Sequence, residues 1–183
     1  MENREHIIRL LETTERKGIT DLIEWMDQND FFNAPCSSKY HLSNIGGLAE
    51  HSLNVFRIAM TLLPTLCPDA DFRFVNSLAI ASLLHDLGKA GQFGKPAYIA
   101  NDDPEKGAFR ANKDLLYIPH EIRSVAIASR FIELTEEEHF AIVYHNGLYG
   151  ELKGFKGNET KLQMILHFAD MWASRVTERE DEA

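Results

Sequence analysis

Residues 74–90 read FVNSLAIASLLHDLGKA, an apolar stretch that closes on a histidine and an aspartate. The spacing predicts one helix over 74–90, apolar on most of its sides, and such a helix belongs inside other elements rather than on a surface. The rest of the chain must therefore supply a jacket for it.

The flanking segments carry the patterns of that jacket. Ile7, Ile8, Leu11, Ile19, Leu22, Ile23 and Met26 fall at helical spacings and predict a leading helix pair interrupted near Gly18. Leu48, Val55, Ile58, Ala59 and Leu62 form a stripe that Pro64 is expected to close. Pro119 is expected to open a helix to about Leu134, Thr135 and Glu138 read as a capping box for the next, and Asn146-Gly147 stops it. A last helix is expected from about Glu159 to Val176, after which the charged end EREDEA frays. Residues 91–118, with Gly91, Gly94, Gly107, Pro96 and Pro104 among polar neighbours, read as a long loop with a short hairpin made from AYI and LLY. The fold class is all-α, in one domain. With 183 residues, 44% of them hydrophobic, the chain can bury a core of its own.

Charge narrows the partners. Lys plus Arg number 19 against 28 Asp plus Glu, a net charge of -9, and such a surface repels a phosphate backbone. Long nucleic acid is a poor partner; a small anionic substrate is compatible with one local positive site. Cys36 and Cys67 are the only cysteines, no apolar signal core is present, and no run approaches the roughly 20 residues of a membrane span. These features lead us to expect a cytoplasmic protein with free thiols and no membrane role.

The candidate site residues are spread along the chain. His51 is in register with Leu48 and Val55 and should face inward; Asp170 is in register with Leu166 and Ala173. A buried carboxylate needs a metal or a partner. His85 and Asp86 end the central helix, His120 starts one helix and His145 ends another. Taken singly, each has an ordinary explanation: a hydrogen-bonded core histidine for His51, an ion pair with Arg175 for Asp170, and helix-end positions for His120 and His145. His41 reads as a loop hydrogen-bonding residue or substrate contact, and His167 as packing or support for the site. Lys95, Arg110 and Lys113 read as solvated charges that could also gather an anion.

The ordered set His51, His85-Asp86, His120, His145, Asp170 resembles the HD-domain superfamily of metal-dependent phosphohydrolases, with its signature H…HD…D. IGGLAEHSLNV, LLHDLGK, IPHEIRSV, IVYHNGL and LHFADMWASR are similar to the HD domain of certain bacterial 3′-to-5′ exoribonucleases and to small phage and bacterial HD proteins. The resemblance divides the chain into an N-terminal helical segment (1–30), an HD domain (31–176) and a charged tail (177–183). It implies that His51, His85, Asp86 and Asp170 hold one metal, and that Asp86 bridges to a second held by His120 and His145. Mixed imidazole and carboxylate ligands suit Mn, Fe, Ni, Co or Zn, two ions per chain.

The implied reaction is hydrolysis of a nucleotide-type phosphomonoester or phosphodiester by metal-activated water. Asp86 and Lys89 are its catalytic candidates, Lys89 as a cation over a phosphate oxygen or as a solvated helix-end lysine. Relatives acting as 5′-deoxynucleotidases carry glutamate where this chain has Lys89, and some two-metal relatives carry histidine where it has Asn146. The GYP motif of the cyclic dinucleotide branch is absent. Two other readings share the ligands: HD-fold di-iron oxygenases, such as those cleaving inositol or phosphonates, and a metal-stabilised binding or regulatory module without turnover.

Overall fold

Residues 2–147 and 157–179 are described in the computed structural model, and seven α-helices carry the fold within them. The predicted central helix is there. Asp71 caps it, its carboxylate accepting from the Phe74 N–H, and α4 (Phe72–Leu84) is buried at every residue from Leu78 to Leu84. Around it pack α1 (Glu2–Thr13), α3 (Gly47–Leu66), α6 (Glu136–Val143) and α7 (Lys161–Trp172), while α2 (Ile19–Gln28) packs on α1.

Residues on different sides of α4 feed two hydrophobic clusters. Ile80, Leu83 and Leu84 join Leu11, Leu22, Met26 and Phe31 in one; Leu78 and Ala81 join Val55, Ile142, Leu162 and Leu166 in the other. Both sides of the helix are therefore core, and truncating Leu83 to alanine would cost about 2–5 kcal/mol. Thr135 and Glu138 form the predicted capping box of α6. The buried Glu138 carboxylate also pairs with Arg16, at 2.6 Å, tying α6 to the α1–α2 connection.

Several predicted boundaries shift for identifiable reasons. The central helix ends at Leu84 instead of continuing to Ala90; Asp86 leaves helical geometry and a short 3₁₀ turn follows at Leu87–Ala90. There Gly88 lies against the first turn of α5 (His120–Ala128), where an added Cβ would stand 2.4 Å from the His120 carbonyl oxygen. Helix α5 itself stops at Ala128, six residues before the predicted Leu134. Beyond it Arg130 and Phe131 make tight i→i+3 bonds, and the Phe131 carbonyl docks on Gly18, which has φ +87° and no room for a side chain. Pro64 does not close α3 but sits in its last turn, since the helix runs on to Leu66 with the Cys67 N–H bonded to the Leu63 carbonyl.

The hairpin in the long loop uses a different second strand. Strand β1 (Tyr98–Ala100) pairs antiparallel with β2 (Phe109–Ala111), not with LLY, whose Leu116 and Tyr117 are exposed. The turn at Pro104–Lys106 and the positive φ of Gly107 reverse the chain before it reaches 115–117. Thr160 caps α7 through the Gln163 N–H, and at Trp172 the helix widens into a π-turn, Ala173–Thr177. The Glu178 N–H bonds back to the Ala173 carbonyl, so the chain does not fray at this residue: Glu178 is 8% exposed and turned into the interior. No helix among the described residues is long and apolar enough to cross a membrane.

Candidate metal centre

The six predicted ligands meet at one end of α4. His51 comes from the second turn of α3, on the buried face shared with Leu48 and Val55. His85 and Asp86 follow the last residue of α4, His120 begins α5, His145 lies in the turn after α6, and Asp170 projects from α7. His51 Nε2 stands 3.3 Å from His85 Nε2, 3.5 Å from Asp86 Oδ2 and 3.2 Å from Asp170 Oδ1. On the other side of the same carboxylate, Asp86 Oδ1 stands 3.2 Å from His120 Nε2 and 3.7 Å from His145 Nε2, and those two nitrogens are 3.4 Å apart. The two oxygens of Asp86 thus face two pairs of imidazoles, which meet where the His85 ring lies against that of His145.

Hydrogen bonds at the far edges of the rings explain this convergence. His85 Nδ1 donates to the Ser82 carbonyl at 2.9 Å, and His145 Nδ1 to the Ile142 carbonyl at 2.7 Å. A carbonyl oxygen only accepts, so Nδ1 carries the proton and the Nε2 lone pair of each ring points into the centre. His51 Nδ1 donates to the Glu178 carboxylate at 2.9 Å. Lone pairs aimed at one another at 3.3–3.4 Å repel unless a proton or a cation lies between them. Two donors each about 2.1 Å from one ion would stand about 3–3.4 Å apart, which is the spacing seen. Asp86 Oδ1 is buried and accepts no hydrogen bond, an orphan that a cation would satisfy. The donor set fits a transition-metal ion on these grounds, and His51, His85 and Asp170, like His85, Asp86 and His145, bring their donor atoms within 4.8 Å of one another.

The electrostatics agree. Burial opposes ionisation of Asp86, but Lys89, His85 and His120 outweigh it and hold its carboxyl well below the usual range. Asp170 behaves alike: burial pushes it up, and the hydrogen bond and charge of His51 bring it down further. Burial, reinforced by His85, pushes His145 down to about 3 and keeps it neutral. His51 goes the other way, since burial alone would lower it but Cys36 together with the Asp170 and Glu178 carboxylates holds it well above the ordinary imidazole value.

Lys89 is not a solvated surface lysine. Its ammonium donates to Asp86 Oδ2 at 2.6 Å, and its side chain is 16% exposed. Asn146, in the position where some relatives have histidine, donates to Glu121 at 2.7 Å and lies 3.5 Å from His120 Nε2. His167 Nδ1 is 2.7 Å from the carbonyl of His145 and so supports that residue. His41 lies 3.4 Å from Cys36 Sγ and 3.8 Å from Glu178, beside the centre. Lys95 donates to the Asp114 carbonyl and Arg110 pairs with Asp102, both in the hairpin loop and not at the site.

Two residues at the centre escape sequence reasoning. Glu178 receives His51 Nδ1 and Asn54 Nδ2 and is held below the ordinary carboxylate range by them against the opposing effect of burial. Its signal was available: it stands eight residues after Asp170, on the same helical face if the helix continues. Cys36, buried 3.8 Å from the Lys89 ammonium, has its thiol pushed up by burial. Nothing in its sequence surroundings marks it.

Compared with known families, residues 48–174 match the family model described as HD domain. Neither the curated proteins nor the solved structures compared with the chain include a match.

Proposed function

The chain belongs to the HD domain family, and within that superfamily of metal-dependent phosphohydrolases we propose that it hydrolyses a nucleotide-type phosphoester at a dinuclear centre. The observation that carries this reading is the division of Asp86: one oxygen faces His51 and His85, the other His120 and His145. His51, His85, Asp86 and Asp170 would hold one divalent ion; Asp86, His120 and His145 would hold the other. When bound, such ions lower the pKa of water and draw charge from phosphoryl oxygens.

The chain's own residues prepare for that chemistry in three ways. The Nδ1–H bonds of His51, His85 and His145 fix ring orientation in advance, so little reorganisation is left for the reaction. Lys89 keeps an ammonium beside Asp86, where it can balance charge developing on a phosphoryl oxygen. Cys36, the cysteine nearest the centre, is buried and held as a thiol, which makes it a poor nucleophile and leaves attack to water.

Metal analysis of protein purified without chelators, joined to a screen of phosphomonoesters and phosphodiesters, tests the proposal. The expected result is two transition-metal ions per chain and metal-dependent release of phosphate or cleavage of a diester. Oxygen consumption with bound iron and no phosphoester turnover would overturn it in favour of oxidative chemistry. Metal binding with neither activity would leave a binding module.

A further inference from the structure

Helix α7 continues past the metal centre. Asp170, Ser174 and Glu178 recur at intervals of four along it and its π-turn, and beyond Asp170 this face borders a cleft of about 690 Å³. Lys39, Tyr40 and His41 form one wall; Ser174, Arg175 and Arg179 form the other, with Glu178 between. Lys39 and Arg179 give the cleft two cations on a chain whose acids outnumber its bases by 28 to 19. The single carboxylate of its lining, Glu178, is already engaged by His51 and Asn54. The acidic residues that follow, Glu180, Asp181 and Glu182, lie outside the described residues. Clustered cations on an acidic surface focus an anion to one place, although each exposed charge alone contributes little.

We propose that this cleft receives a second phosphate of the substrate, so that the substrate is a dinucleotide or the end of a short oligonucleotide and not a mononucleotide. The assignment rests on the phosphohydrolase reading for what occupies the metal centre. Ser174 lies one helical turn, about 6 Å along the axis, from Asp170. Directly linked phosphates sit too close together to reach both places, whereas phosphates separated by a nucleoside can. Tyr40, 83% exposed at the wall of the cleft, offers a ring face on which the intervening base can stack. The excess of acid elsewhere disfavours a long strand, which confines the preference to short ligands.

Calorimetric titration of the metal-loaded full chain with AMP, ADP and phosphorothioate-linked pApA tests this without turnover. The expected result is that pApA binds about tenfold or more tighter than AMP or ADP, the effect of one or more charge-assisted contacts. Combined Lys39→Glu and Arg179→Glu changes should abolish that preference and leave AMP affinity within about twofold, since AMP lacks the second phosphate. Should charge reversal impair folding, Lys39→Gln with Arg179→Gln gives the same comparison. Equal binding of the three ligands, an ADP preference matching that for pApA, or a preference that survives both variants would overturn the subsite. If pApA preference is intact but its ordinary phosphodiester is not cleaved under any metal, the hydrolase reading fails and the anion subsite stands.

Discussion

The two halves of the candidate centre share Asp86 but are built differently. Around Asp86 Oδ2, His51 comes from the 20-residue α3 and His85 caps the buried end of α4; both are at most 1% exposed at their side chains and have Nδ1 tied to a carboxylate or a carbonyl. Around Asp86 Oδ1, His145 is buried and tied, but His120 opens a nine-residue helix after the long loop and is 32% exposed. Its nearest Nδ1 partner is Glu121 Oε2 at 3.5 Å. Rigid support makes the first half a preformed position, whereas the second is open to solvent at His120.

The most damaging test of this comparison removes what the halves share. Asp86→Ala should cost both ions and lower kcat/KM by at least about 10²–10³-fold with helix content retained by circular dichroism; a variant working at the parental rate would refute the shared-carboxylate arrangement. Next, His120→Ala should release one ion of two and keep the other tightly bound, with turnover falling about 10²-fold. Loss of both ions by elemental analysis would show that the halves are not separable. Lys89→Ala should lower kcat/KM by about 2–4 kcal/mol, in transition-state terms, with metal content unchanged. Parallel loss of metal would instead make the lysine a support for Asp86.

A smaller effect sharpens the contrast. Glu178→Gln still accepts from His51 Nδ1–H but without its charge, so the buried half should lose about 10–100-fold in metal affinity and the open half should not change. The smallest readout is proton release. His51, held above the ordinary imidazole pKa, carries an extra proton near neutral pH that an entering ion must displace; affinity of the buried half should therefore rise with pH through neutrality. His145, pushed down to about 3, is already neutral there and adds no such dependence to the open half. Titration in buffers of different ionisation enthalpy should report about one proton released per ion entering the buried half. No release would contradict the charged state assigned to His51.

Much of this is legible in the sequence, and the divide is physical. The central helix declared itself through apolar residues on all sides, and Thr135 with Glu138 through side-chain caps that act locally. His51 and Asp170 were legible because their register matched the buried stripes of their own helices. What escaped depended on contacts between distant segments. Helix α5 stops where the Phe131 carbonyl meets Gly18, and the second strand of the hairpin is chosen by a turn at 104–107 rather than by apolar content. Glu178 escaped because a charged stretch ordinarily reads as solvated, which outweighs its helical spacing from Asp170; the π-turn that precedes it carries it inward.

The hydrogen bond from His51 to Glu178 joins residues separated by 127 positions. Closing so long a loop costs about 4 kcal/mol of chain entropy, a cost met only after the intervening helices have packed. Contacts of such sequence separation slow folding, because loop closure must be met before they reward it. A nascent or partly folded chain would thus present its histidines one or two at a time, with too few converging donors to capture an ion from the wrong pool. The rate at which metal enters the buried half of a refolding chain would then report when Glu178 has reached His51.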